Sequence, residues 1–210
     1  MNSTHTTSPG ARGWSRVALL LLCVALPAPA AEPLSQRIEG IATYRCSACH
    51  GLTGQGNNPM FPKLAGQNEE YLVRQIMNFK TGARKGQVML YQLGDLSAED
   101  VAALAGYFSR QRLLPGKVVD KAMQETGRRL YSLGNAANGV AACSTCHGEQ
   151  ARGGGLMPRM AGQHAEYIAE QLYRFIDADR VAGQTQRHPA GLALTHDEIR
   201  AVSLFLSALE

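Results

Sequence analysis

The sequence predicts an all-α protein built from two tandem domains, and three observations predict it. A five-residue run occurs twice, as Cys46-Ser47-Ala48-Cys49-His50 and as Cys143-Ser144-Thr145-Cys146-His147. The segments behind each run repeat one another. Pro62-Lys63-Leu64-Ala65-Gly66-Gln67 is answered by Pro158-Arg159-Met160-Ala161-Gly162-Gln163, and Tyr71, Gln75 and Phe79 return 96 residues later as Tyr167, Gln171 and Phe175. Finally, the apolar residues of both halves recur at helical spacing. Self-similarity at one fixed offset marks a duplicated structural unit.

The N-terminus stands apart from this repeat. Arg12 and Arg16 precede an apolar run from Val17 to Leu26, and Ala28-Pro29-Ala30 has the small-x-small form of a cleavage site. Residues 1–30 are therefore expected to be a cleaved signal peptide, with the mature chain starting at Ala31. The apolar run is too short to stay in a bilayer as a spanning helix. Cys23 follows Leu22, where lipid attachment would call for a small residue, so it reads as one apolar residue of the removed segment. Domain one is expected over 31–114, a linker over 115–120 around Pro115-Gly116, and domain two over 121–210.

Within each domain the elements follow in the same order. Gly40-x-x-x-Tyr44 and Gly127-x-x-x-Tyr131 open the repeats, the second followed by a ten-residue insert before Cys143. Both glycines are expected to let helices cross closely, against Tyr107 and Phe205. Glycine-rich loops follow each motif. The Tyr71–Phe79 and Tyr167–Phe175 segments read as helices, with Leu72, Ile76 and Phe79 on one apolar face and the aromatics serving as core. The last helices start at Ser97 and Thr195, each with an acid three residues on (Asp100, Glu198), which is the capping-box pattern. Val101, Leu104, Ala105 and Phe108 then recur at helical spacing, as do Ile199, Val202, Phe205, Leu206 and Leu209.

Composition narrows the chemistry. Without the signal segment the chain carries 19 basic and 17 acidic side chains, which is no nucleic-acid signature. The first half is slightly the more basic, in the manner of ordinary solvated charge. Domains of about 80–90 residues are marginal on a protein-only core. Neither a Ser-His-Asp set, nor paired carboxylates, nor a nucleotide-binding loop stands out.

The two Cys-x-x-Cys-His runs carry the chemistry. Cys-x-x-Cys alone would leave open a zinc site, a redox dithiol or disulfides. With His directly following, and Gly51 and Gly148 after it, the run is the attachment sequence of a c-type haem. Thiols one helical turn apart can each bond one vinyl group of a porphyrin, and the adjacent imidazole then faces the iron. Cys46, Cys49, Cys143 and Cys146 would hold two covalent haem c groups, with His50 and His147 as proximal ligands. The haems would supply the apolar centres that short domains lack, and no cysteine of the mature chain is left for a structural disulfide.

On the paired motifs, the Pro-x-Leu-Ala-Gly-Gln segment and the Leu-Ser-x-x-Asp start of the final helix, the chain resembles the cytochrome c4 family across nearly its whole mature length. The resemblance implies two class I cytochrome c domains related by a pseudo-twofold, haems near the domain interface, and a periplasmic location. It implies electron transfer rather than enzymatic turnover. Partners would be redox proteins: a membrane donor such as a quinol-oxidising complex, a terminal oxidase or a dehydrogenase subunit, with possible peripheral membrane association. It gives the Pro62 and Pro158 carbonyls a place beside the proximal imidazoles. It also implies Met89, seven residues before Leu96, as the first axial Met, ahead of Met60 and Met77.

The second repeat departs from that pattern. The counterpart of Met89 falls on Gln186 or Arg187, neither a haem ligand, and His188 is the nearest side chain able to bind iron. An open five-coordinate iron, Met160 and Met157 are the alternatives. Met157 reads as loop packing, Met160 as core, and His164 and His196 as surface or capping-turn residues. Three functions compete. They are a soluble electron carrier, the cytochrome subunit of a dehydrogenase, and a haem enzyme or sensor working at an open second iron. A thiosulfate-oxidising di-haem enzyme resembles this layout but takes a Cys ligand, and no Cys is spare here.

Overall fold

The computed structural model describes residues 1–3, 32–117, 120–177, 180, 188 and 194–210. Met1–Ala31 and Glu32–Glu210 are separate units. The expected signal segment falls outside the described residues apart from its first three, as do positions 118 and 119 of the linker and Gln186 and Arg187.

The described chain is helical. α1 (Leu34–Ile41) runs through a π-helical turn (Ala42–Cys46) into α2 (Ser47–His50), followed by α3 (Glu69–Lys80), α4 (Gln87–Leu93) and α5 (Ala98–Ser109). The second half repeats the plan with α6 (Lys121–Leu133), a 3-10 turn (Ala136–Asn138), α7 (Ser144–His147), α8 (Ala165–Ile176) and α9 (His196–Ser207). Among the described residues there are no strands, and the isolated bridges are Asn135–Val140 and Gly154–Met157. Two apolar clusters result. One gathers Ile38, Leu72, Ile76, Val101, Leu104 and Phe108; the other gathers Leu130, Tyr131, Ile168, Val202 and Leu206. The helical periodicities predicted for α3, α5 and α9 are the faces these clusters bury.

Both capping boxes form. Ser97 accepts from the Asp100 amide and the Asp100 carboxylate accepts from the Ser97 amide; Thr195 and Glu198 do the same. Asp100 is also gripped by Arg37 through two hydrogen bonds of 2.8 and 3.0 Å. That guanidinium, with the Ser97 amide, holds the Asp100 carboxyl far below the usual carboxylate range. A depressed carboxyl stabilises the fold fully above its unfolded value, near 3.9, and the contribution is lost as pH falls through the folded value. Asp100→Asn is expected to cost about 1 kcal/mol at pH 7, discounted because the Arg37 side chain is half exposed. In urea titrations the gap to the parent should narrow steadily below about pH 4.

The two opening helices differ where the sequence suggested they match. A Cβ on Gly127 would lie 2.1 Å from the Ala201 carbonyl oxygen and 2.8 Å from the Phe205 Cβ, so α6 and α9 cross in near backbone contact, as expected. Gly40 meets nothing within 4 Å, which corrects the expectation of a matching close crossing. Ile38 of α1 and Ala42 of the π turn face the core instead, two residues to either side of Gly40. Tyr44 departs too: it is 88% exposed, whereas Tyr131 is fully buried and donates its hydroxyl to the Gly148 carbonyl. Tyr44 lies in the π turn, whose wider winding rotates it off the face that Tyr131 occupies on a regular α-helix. The second-repeat insert is closed by Asn135 and Val140, which exchange backbone hydrogen bonds of 2.8 and 2.9 Å.

Candidate functional site

Each attachment motif ends on a short helix stopped by glycine. α2 and α7 close with Gly51 (φ 77°) and Gly148 (φ 76°), a left-handed backbone that side chains disfavour. This leaves His50 and His147 buried at the helix ends. His50 Nδ1 is 2.8 Å from the Pro62 carbonyl oxygen, and His50 Nε2 is buried with no hydrogen-bond partner. An imidazole donating through Nδ1 presents a free lone pair at Nε2, the arrangement of a metal-ligating histidine. His147 Nδ1 stands 3.5 Å from the Pro158 carbonyl, the matching contact at the limit of hydrogen-bond range. Burial lowers the pKa of both rings against the opposing effect of those carbonyls, so both are neutral and competent to bind metal.

The first cysteine of each motif sits in apolar surroundings, whereas Cys146 is exposed. Burial pushes the Cys46 thiol up to about 11, and the Cys143 thiol rises for the same reason. Low-pKa reactive dithiols sit in the opposite kind of environment. Among the described residues no group of three or more His, Cys, Asp or Glu side chains is placed to hold a metal ion. Cys46, Cys49, Cys143 and Cys146 are all unpaired thiols.

The Pro-x-x-Ala-Gly-Gln segments join the two repeats. Gln163 accepts from the Lys63 amide (2.8 Å) and donates to the Lys63 carbonyl (2.9 Å). Gln67 accepts from the Arg159 amide (2.7 Å) and donates to the Arg159 carbonyl (2.8 Å). Each amide thus clasps the residue directly after the other repeat's proline, which ties the loops beside His50 and His147 together. The segments were recognisable as a repeat; that their glutamines reach across the pseudo-twofold was not.

A second cross-repeat cluster was missed in the sequence. Arg84 donates to Gln75 (2.8 Å), Tyr167 (2.8 Å) and Gln171 (3.1 Å). Arg180 donates to Gln171 (2.6 Å), Tyr71 (2.7 Å) and Gln75 (3.2 Å). Each guanidinium also lies over a ring, Arg84 at 4.5 Å from Phe79 and Arg180 at 4.9 Å from Phe175. Tyr71 and Tyr167, expected to serve the core, here join Gln75 and Gln171 in accepting from two cations. Among the described residues no carboxylate joins them. The signal was available, since Arg84 and Arg180 keep the 96-residue offset of Tyr71 and Tyr167.

The distal candidates are spread over several elements. Met89, on α4, is partly buried against the first cluster together with Cys46 and Leu64. Met60 is 77% exposed and Met77 39% exposed. In the second repeat Met160 packs in the second cluster, whereas Met157 is 41% exposed. His188 lies with its ring centroid 6.2 Å from that of His147, at 32° between planes. It stacks on Phe175 at 4.6 Å and 23°. Burial, with the charges of His147 and Arg180 adding to it, pushes His188 down to about 4. The other two histidines lie elsewhere: His164 caps α8 and contacts the Gly56 carbonyl, and His196 pairs with the Tyr173 hydroxyl.

The residues present fit a covalent porphyrin. The unpartnered His50 Nε2 is free to serve as a proximal ligand, the Cys46 and Cys143 thiols sit in apolar surroundings, and among the described residues two cations meet neutral acceptors in the cluster. Comparison with known proteins agrees. The Cytochrome c family profile matches residues 35–110 and 125–210. A cytochrome c4 of Azotobacter vinelandii is 36% identical over 177 residues, covering 78% of this chain and 84% of that one. A "thiosulfate dehydrogenase electron acceptor" of Thiomonas intermedia is 37% identical over 183 residues, covering 85% and 84%. The crystal structure of reduced recombinant cytochrome c4 from Pseudomonas stutzeri superposes with a TM-score of 0.77 at 33% identity, covering 84% of this chain and 98% of that one.

Proposed function

The chain belongs to the cytochrome c4 family, and on that premise we propose that it is a periplasmic carrier of single electrons between a respiratory donor and a terminal acceptor. Family membership makes it an electron-transfer cytochrome with two tandem domains and two covalently attached haem c groups. The observation that carries the finer reading is the pair of Cys-x-x-Cys-His motifs, one of whose buried histidines has its Nδ1 engaged and its Nε2 unpartnered.

Cys46, Cys49, Cys143 and Cys146 would anchor the porphyrins, and His50 and His147 would be the proximal ligands. Met89 would be the distal ligand of the first; its packing against the same apolar cluster as Cys46 and the exposure of Met60 support that choice. Arg84 and Arg180 would face the acidic groups of the porphyrin edges across the pseudo-twofold. Bound haems would supply a one-electron couple, held at the ligands named above. The signal segment over 1–30 supports export, with domains over 31–114 and 121–210 joined by 115–120. Among the described residues no helix is long and apolar enough to cross a membrane.

Mass spectrometry of the exported protein should show a chain starting at Ala31 with two added haem masses. A single adduct, or a chain retained in the cytoplasm, would overturn the reading. In the oxidised spectrum the Fe–S(Met) charge-transfer band should be lost in Met89→Ala. Its survival there, with loss in Met60→Ala, would move the ligand to Met60.

One observation favours a second reading, that of a dehydrogenase partner. A relative at 37% identity is named as the electron acceptor of a thiosulfate dehydrogenase. A tagged chain isolated from its native periplasm should bring down a catalytic subunit if that reading holds, and membrane respiratory components if the first does.

A further inference from the structure

We propose that His188 is the distal axial ligand of the second haem iron, opposite His147, so that the two haems of this protein are ligated differently. The assignment rests on the di-haem reading above and adds a ligand that the repeat pattern does not supply.

The placement of the rings carries it. The His147 and His188 centroids are 6.2 Å apart. A metal–imidazole nitrogen bond is about 2.0 Å, and a ring nitrogen sits about 1.2 Å from its ring centre, so two imidazoles on opposite sides of one metal have centroids roughly 6.4 Å apart. Directly stacked rings would lie closer: the Phe175–His188 pair is at 4.6 Å. The spacing between the two histidines leaves room for one metal ion between the rings. Both rings also have partners that orient them. His147 faces the Pro158 carbonyl, and His188 stacks on Phe175, which in turn lies under Arg180.

The rest of the repeat removes the competitors. No Met follows Met160 in the sequence. Met160 holds the repeat position of Leu64, in the loop next to the proximal Pro158, and Met157 is exposed. Phe175 and Arg180 are the counterparts of Phe79 and Arg84, so the scaffold around the distal side is shared by the two repeats while the ligand itself differs. An imidazole is a stronger donor than a thioether, and it leaves no iron position open to an outside ligand.

The test uses the whole mature holoprotein. Haem is counted first, as the pyridine complex: fewer than two per chain overturns the di-haem reading itself and this assignment with it. With two haems present, the oxidised wild type should show the Fe–S(Met) band at the intensity of one haem, and the reduced protein should bind no carbon monoxide. His188→Ala should raise carbon monoxide binding from none to one per chain and turn one haem high-spin by EPR. Added imidazole should restore the low-spin signal. His188→Met should increase the Fe–S(Met) band about twofold. Three results would overturn the assignment while leaving two haems in place: a wild-type Fe–S band already at two-haem intensity, one carbon monoxide bound per wild-type chain, or a His188→Ala protein with both haems still low-spin. If neither variant folds, the wild-type band and carbon monoxide stoichiometry decide alone.

Discussion

Replacing Cys46 and Cys49 together with Ala should remove one haem mass and unfold most of the first repeat. The first cluster is small for the residues it orders. Most of its buried members come from short helices, α1, α3 and α5, with Leu93 from α4, and Cys46, Leu64 and Met89 line it only partly buried. Helices of 8 to 12 residues do not hold in water by propensity alone and need an apolar partner. Without the haem, His50 would keep a buried, unpartnered Nε2, a further penalty of about 1–3 kcal/mol. Domains of this size have only a few kcal/mol in reserve. Far-UV circular dichroism of the double variant should therefore lose roughly a third or more of its helical signal. The second repeat should melt earlier as well, because Gln163 loses Lys63 and Arg180 loses Tyr71 and Gln75. A variant that drops one haem mass yet keeps full helicity would show that the first repeat stands on its protein core.

The two haems are expected to titrate at separate potentials, the one held by His147 lower by on the order of 100 mV or more. A thioether favours Fe(II), whereas the more basic imidazole favours Fe(III). Each tenfold preference between oxidation states corresponds to about 59 mV for a one-electron couple, so a ligand difference of a few such steps reaches that gap. Electrons would then enter at the second repeat and leave from the first, giving the molecule a direction. The same cross-repeat contacts keep the two sites in fixed relation while this happens, since Gln67, Gln163, Arg84 and Arg180 each bond across the pseudo-twofold. Spectroelectrochemical titration resolves the two steps. Two equal potentials would sink the asymmetry, and a lower value assigned to the His50 haem would reverse the direction.

These predictions draw on two different kinds of information. The sequence by itself determined the duplicated all-α plan, the paired Cys-x-x-Cys-His motifs, both capping boxes and the buried faces of α5 and α9. Each of those is local: a Cys-x-x-Cys-His run, an acid three residues after Ser or Thr, and apolar residues one helical turn apart are set by the geometry of a single short segment. The tertiary structure alone decided the rest, because it depends on atoms far apart in the chain. Gly40 and Gly127 read alike, yet only α6 brings its glycine against a facing backbone, and a π turn takes Tyr44 off the face that Tyr131 keeps. Glutamine amides 96 residues apart became reciprocal clasps, and two arginines with no assigned role in the sequence came together over four neutral acceptors. His188 was legible only as the nearest able side chain, and its ring spacing to His147 exists only once α7 and the chain beyond α8 are folded against each other.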